Sequence, residues 1–304
     1  MARESYMAQL RLLIRALRAV APEDVFALKG GTAINLFFRD LPRLSIDIDL
    51  TYLPLAPRAE SLSGIEAGLA RISERLLRQI PGLRVTTAQR GDDKRLELNL
   101  GAVRIKIETS PVMRGTVHPV NWMDPSAAVA AEYGPAATRV VSFEDLYAGK
   151  LVAALDRQHP RDLFDVSLLF DHDGLSDALF RTFLVYVACS NRPMHELLNP
   201  TRLDVSNVFR TEFQGMAIVE IPLNDLLEVR ERLIGEVRSR LNEAAMEYLL
   251  GLHDGHPDFG LIGLPDAAEL PAIKWKLMNL NKLRLTNPNK HALQRRAIEQ
   301  VGRH

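Results

Sequence analysis

The chain has 304 residues, 47% of them hydrophobic and 25% charged, with 38 basic and 38 acidic residues and a formal net charge of zero. That length accommodates two domains with apolar cores, while the balanced charge excludes global steering of an anionic partner. The lone cysteine, Cys189, excludes an internal disulfide and argues against a cysteine-based zinc site.

The N-terminus lacks the uninterrupted apolar core of a signal peptide, and no apolar run is long enough to span a bilayer. The expected location is therefore a reducing cytoplasm, with no membrane partner. Residues 3–20 carry Tyr6, Met7, Leu10, Leu13, Ile14, Leu17 and Val20 at helical spacing, with Arg3, Arg11, Arg15 and Arg18 among them, which predicts an amphipathic helix with a solvated basic face. Val25–Leu28 predicts a short strand ending in Lys29-Gly30-Gly31, and Thr32 opens a short helix through Phe38. Ser45–Tyr52 alternates strictly, with Ile46, Ile48 and Leu50 on one face and Asp47, Asp49 and Thr51 on the other. A helix is predicted at about 60–79, then strands at Leu83–Gln89, Arg95–Leu100 and Val103–Thr109, the last two joined by a Gly101-Ala102 hairpin turn. Residues 111–140, with prolines, glycines and an alanine run, are predicted as a connecting segment. The remainder reads as mostly helical: Ser142 as N-cap with Asp145 at the capping-box position, a break at Pro160 with a new helix from Arg161, and helices at 175–190, 222–250 and 290–301. The predicted fold is thus α/β, with a mixed-sheet domain over 1–140 followed by a helical domain over 141–304.

Asp47 and Asp49 stand two residues apart on a strand, so both carboxylates point to one face. Asp is disfavoured in strands, and such a local misfit often marks function. Hard carboxylate oxygens suit Mg²⁺, which leaves room for substrate phosphates. Glu108, on the polar face of another strand, is the candidate third ligand for a metal pair, although Arg104 and Lys106 share its face and offer it ion-pair partners. Upstream, Gly30-Gly31 permits positive φ and close backbone approach, and the following helix start, with the Thr32 hydroxyl, offers a place for phosphates. Arg43 and Ser45, close to the acidic pair, are further candidates to reach phosphate oxygens.

The segment Gly149-Lys150 through Asp165 concentrates charge among small residues. Lys150, Ala154 and Arg157 fall along one side of a helix, and Arg161 and Asp165 share a face of the next. Simpler readings exist for each charge: Asp162 complements a helix N-terminus, and Arg161 with Asp165 forms an i,i+4 ion pair.

The segment GGTAINLFFRDLPRLSIDIDL resembles the first motif of the AbiEii/AbiGii-type nucleotidyltransferase toxins, part of the DNA-polymerase-β-like nucleotidyltransferase superfamily, and AGKLVAALDRQHPRDLFDV resembles that family's second signature. The resemblance extends over most of residues 25–170. It implies that Gly30, Gly31 and Thr32 hold a triphosphate, that Asp47 and Asp49 bind metal with Glu108 as the best third acid, and that Lys150 contacts the nucleotide phosphates. Asp165, with Asp162 second, takes a catalytic or nucleotide-positioning role, so the helical domain contributes Lys150 and Asp165 to the site. The expected activity is Mg²⁺-dependent transfer of a nucleoside monophosphate from a nucleoside triphosphate, with release of pyrophosphate. The resemblance also implies a toxin with a cognate antitoxin and, for some relatives, the 3′ end of tRNA as acceptor.

Two other readings stay open at this point. Asp47-Ile48-Asp49-Leu50-Thr51 also fits the nucleophile loop of an aspartyl phosphohydrolase, although Arg43-Leu44-Ser45 is not the buried apolar strand that normally precedes such a loop. A catalytically degenerate protein that only binds RNA or a partner is the other. Residues 271–304 carry Lys274, Lys276, Lys282, Arg284, Lys290, Arg295, Arg296 and Arg303 against Glu299, with Trp275 among them. This composition suits RNA contact as well as it suits a solvated helical tail or an acidic partner. His253, His256 and Asp258 lie in a segment predicted as a loop.

Overall fold

The computed structural model describes residues 2–91 and 93–302, so Arg303 of the basic segment lies outside the described residues. The chain divides into two units, Met1–Ser142 and Phe143–His304. No helix among the described residues is long and apolar enough to cross a membrane.

In the first unit, seven strands among the described residues form one mixed sheet: β1 (Phe26–Lys29), β2 (Asp47–Tyr52), β3 (Arg84–Arg90), β4 (Asp93–Leu100), β5 (Val103–Arg114), β6 (Asn121–Met123) and β7 (Thr138–Val140). Their order is β3-β4-β5-β2-β1-β7-β6. β2 runs antiparallel to β1 and parallel to β5, and β1 is parallel to β7. The helices are α1 (Ala2–Val20), α2 (Gly30–Ala33), α3 (Arg58–Gln79) and α4 (Ala127–Tyr133), with α2 widening into a π-helical turn at Ile34–Phe38.

Alternation along the strands decides where the core lies. Leu28, Ile48, Leu50, Leu96, Leu98, Ile105 and Ile107 are buried, as are Leu10, Leu13 and Leu17 of α1 and Ile65, Leu69 and Ile72 of α3; α1 and α3 pack on the sheet and on each other. Each such side chain contributes about 1.5–3 kcal/mol on burial. The close approach of α3 depends on two glycines one turn apart. A Cβ on Gly64 would collide with the Tyr52 hydroxyl, and one on Gly68 would lie 2.6 Å from the Phe26 ring. Phe26 and Tyr52, cross-strand partners, meet edge-on at 5.8 Å. Buried Glu23 accepts from Arg71 and Arg75, which ties the turn after α1 to α3.

The segment predicted as a connector is more ordered than expected. β5 continues to Arg114, and β6, α4 and β7 follow. Both β6 and β7 are three residues long, too short for alternation to be read, and β7 owes its place to parallel pairing between Val140 and Leu28. The alanine run forms α4, capped by the Ser126 hydroxyl accepting from the Val129 N–H and ended by Gly134 at φ 81°.

The second unit is helical: α5 (Phe143–Asp156), α6 (Pro160–His172), α7 (Asp177–Cys189), α8 (Met194–Leu198), α9 (Ser206–Glu212), α10 (Leu223–Ser239), α11 (Glu243–Asp254), α12 (Pro271–Thr286) and α13 (Pro288–Val301). α5 and α7 pack closely because Ala148 and Gly149 are small; a Cβ on Gly149 would sit 3.3 Å from the Tyr186 ring. The Tyr186 hydroxyl donates to buried Asp145 at 2.9 Å.

Here too the structure corrects the sequence reading. The run predicted as one helix over 222–250 is two, α10 and α11, with Asn242 capping the second through Ala245 N–H. The new helix after α5 starts at Pro160, with His159 as its N-cap. The expected loop around His253 is helical as far as Asp254 and stops at Gly255, φ 93°. His253 stacks on His291 at 4.1 Å, and each Nε2 faces the other's carbonyl, at 2.9 and 3.0 Å.

Two stability measurements check this packing. Gly68→Val should lower the urea-unfolding stability of the sheet unit by about 1–3 kcal/mol, because the Phe26 ring is itself buried and has nowhere to move. Burial also pushes the His253 pKa down, so the unfolded state takes up a proton that the folded state refuses. Stability from this residue should be complete above about pH 6.5 and fall on acidification, by up to about 1.4 kcal/mol per pH unit. His253→Gln should flatten that part of the pH profile of chemical denaturation.

Candidate active site

β2 places two carboxylates on the sheet face opposite the buried Ile48 and Leu50. Strand pairing then sets their neighbours. Asp49 is the register partner of Lys29 on β1 and of Glu108 on β5, and Glu108 is the partner of Arg95 on β4. A row of charges therefore runs Arg95, Glu108, Asp49, Lys29 across four adjacent strands. In the next row, Asp47 stands opposite Lys106, and Lys106 opposite Glu97.

Like charges directly opposite each other destabilise a sheet. Burial pushes the Glu108 pKa up, and Asp49 and Asp47 push it in the same direction, against Lys106 and Arg95. The face opens on a cleft of about 490 Å³ lined by Lys29, Asp49, Lys94, Arg95, Glu108 and Ser110, among others.

The glycine turn is built around these acids. Gly30 has φ 75°, and a Cβ there would collide with Asp49 Oδ2. A Cβ on Gly31 would lie 2.7 Å from the Arg43 guanidinium and 3.0 Å from the Ser45 hydroxyl. The Thr32 hydroxyl donates to the Asp47 carbonyl at 2.5 Å and lies 3.1 Å from Ser45 Oγ. Asn35, fully buried, donates to Gly31 O at 2.6 Å and accepts from the Arg43 N–H at 3.3 Å. Gly30, Gly31, Thr32, Arg43, Ser45, Asp47, Asp49 and Glu108 are thus assembled within one unit. Arg43 and Thr32 are buried, and the Thr32 hydroxyl fixes the start of β2.

Among the described residues, no three or more His, Cys, Asp and Glu side chains are drawn together as a ready metal cage. The donor set nonetheless fits Mg²⁺, which is commonly held by one or two carboxylates with substrate phosphates completing the shell. Asp47 and Asp49 are such a pair, and a divalent ion there would relieve the crowding of Glu108 against them.

Within the helical unit, Lys150 is buried and its ammonium lies 2.8 Å from Asp162 and 2.9 Å from Asp165, themselves 1% and 0% exposed. Arg157 adds a second cation to Asp162 at 2.6 Å. Burial alone would raise the Asp162 pKa, but Lys150 and Arg157 hold it well below the usual carboxylate range. Asp162 also occupies the first turn of α6, so the helix-dipole reading and the ion-pair cluster hold together. Arg161 reaches Glu212 at 3.8 Å.

Three cleft cations escaped the sequence reading: Lys29, Lys94 and Arg95. Lys94 pairs with Glu66 at 2.5 Å and Arg95 with Glu97 at 2.7 Å. Burial pushes the Lys29 pKa down, with Asp49 opposing. Strand parity was the available clue: Lys29 is out of phase with buried Phe26 and Leu28, and Arg95 with buried Leu96 and Leu98.

Gly30→Ala should cost about 1–2 kcal/mol from the left-handed backbone alone. It should also displace the Asp49 carboxylate, so divalent-ion binding should fall while circular dichroism still reports a folded protein.

No curated protein matches the chain significantly. Among solved structures, it is similar to MenT4, a nucleotidyltransferase toxin from Mycobacterium tuberculosis H37Rv, at 16% identity and a TM-score of 0.58, over 91% of this chain and 92% of that one. This likeness concerns the fold. The family model described as nucleotidyl transferase AbiEii toxin, type IV toxin–antitoxin system, matches residues 11–278. The chain therefore belongs to the AbiEii nucleotidyltransferase toxin family.

Proposed function

We propose that the acidic face of the sheet is the centre of a Mg²⁺-dependent transfer of a nucleoside monophosphate from a nucleoside triphosphate to an acceptor hydroxyl. The carrying observation is Asp49 beside Glu108 on adjacent strands, two residues from Asp47, on a cleft that Lys29, Lys94 and Arg95 also line. An ion held by Asp47 and Asp49, with Glu108 as the third acid, would lower the pKa of the acceptor hydroxyl and neutralise the leaving pyrophosphate.

The protein's own groups do the rest. Gly30 keeps its backbone clear of Asp49, and Gly31 makes room for Arg43 and Ser45. Thr32 anchors the first residue of β2, so the carboxylates keep their aim. The turn and the cleft cations then orient the triphosphate. Lys150 is assigned to the nucleotide phosphates, and Asp165, 2.9 Å from its ammonium, to a catalytic or nucleotide-positioning role. The assigned acceptor is RNA, the 3′ end of tRNA first, and the protein partner is a cognate antitoxin. An aspartyl nucleophile at Asp47 is disfavoured, because it leaves Gly30, Gly31 and the Asp49–Glu108 pair without a role.

Incubation with total RNA, Mg²⁺ and each labelled nucleoside triphosphate in turn tests this reading. Label should enter RNA with at least one nucleotide, pyrophosphate should be released, and chelation should stop both. Asp49→Asn should lower the rate by roughly 100-fold or more. Free phosphate with a labelled aspartate, or no transfer by a folded preparation, would overturn it.

A further inference from the structure

Lys29 stands at a point where the charge balance of the site must change. It is the last residue of β1, the residue before Gly30, and the register partner of Asp49. It is half-buried and lines the cleft with Asp49 and Glu108. The other two cleft cations are paired with acids outside the carboxylate cluster, Lys94 with Glu66 and Arg95 with Glu97. The acid facing Lys29 is Asp49, one of the two assigned metal ligands.

A divalent ion on Asp47 and Asp49 would compete with Lys29, the register partner of Asp49, for that carboxylate's charge. The ammonium would then face the cleft with its partner engaged elsewhere, close to a second cation. Such an arrangement favours an incoming anion of several charges. In this cleft that anion is the triphosphate, and a lysine ammonium binds phosphate oxygens through strong charge-assisted hydrogen bonds.

We infer that Lys29 is a phosphate-binding residue of the transfer site that opposes metal binding in the free protein and favours nucleotide binding once the metal is present. The inference rests on the metal-and-nucleotide reading of Asp47 and Asp49 given above. It assigns Lys29 two effects of opposite sign, which a merely structural lysine would not produce.

The test is Mn²⁺ titration of the full chain, followed by EPR, then nucleoside triphosphate titration of the Mn²⁺-loaded protein by calorimetry. Wild type, Lys29→Met, Lys29→Arg and Asp49→Asn are compared, each with a thermal melt to establish folding. Lys29→Met should bind Mn²⁺ roughly 3- to 10-fold more tightly at low ionic strength, with the gain shrinking at high salt. It should bind nucleotide roughly tenfold more weakly, and Lys29→Arg should restore both toward wild type. Tighter Mn²⁺ binding without the nucleotide loss, or weakening of both, would overturn the role of Lys29. If Lys29→Met fails to fold, Lys29→Gln replaces it with the same two expectations. Asp49→Asn separates the two levels. If it loses Mn²⁺ while the Lys29 variants show no opposed shifts, only the lysine assignment falls; if it binds Mn²⁺ like wild type, the metal reading fails and takes Lys29 with it.

Discussion

The absence of a side chain at Gly30 is the constraint on which the site depends. Its backbone passes so close to the Asp49 carboxylate that no Cβ fits, and it does so at φ 75°, where a side chain would be strained in any case. That contact joins the turn after β1 to the central acid of β2. The next two residues extend the same join: Gly31 leaves room for Arg43 and Ser45, and Thr32 holds the carbonyl of Asp47. Three consecutive residues thus set the position of both aspartates. The π-helical turn that follows, with Asn35 reaching back to Gly31 and forward to Arg43, keeps those three in place.

Electrostatics gives this frame its chemical character. The sheet is an ordinary apolar layer on the side of α1 and α3, but its other face sets Asp49 against Glu108 and flanks them with Lys29 and Arg95. A fold selected for stability alone would pair those charges in alternation, as the neighbouring row of Asp47, Lys106 and Glu97 does. The like-charged pair is therefore a local sacrifice of stability, one that the proposed divalent cation would offset. In the helical unit the balance is the reverse. Lys150 and the exposed Arg157 match Asp162 and Asp165 closely, so burial of three charges, Lys150, Asp162 and Asp165, is sustained by mutual attraction.

Much of this was legible in the residues. Strict alternation from Asp47 to Thr51 fixed the shared face of the aspartates, and the double glycine announced a turn that only small residues tolerate. Alternation in β4 and β5 likewise put Glu108 on the polar face. What could not be read was register. That Glu108 falls beside Asp49, while Lys106 falls beside Asp47, is a property of parallel β2–β5 pairing between segments separated by a helix and a hairpin. Lys29 was hidden for the same reason, since its partner lies 20 residues on and across a strand. The three-residue strands β6 and β7 carry no periodic pattern, and the basic helix α12 has apolar residues on no single face, so local pattern could not announce them.

The most direct test of the metal platform is anomalous scattering from a crystal of the full chain soaked with Mn²⁺ and a non-hydrolysable nucleoside triphosphate analogue. The expected result is an anomalous peak bound by Asp47 and Asp49, with the phosphates in the cleft beside Lys29. A peak elsewhere, or nucleotide density away from the Gly30-Gly31 turn, would contradict the assignment of this face as the transfer site.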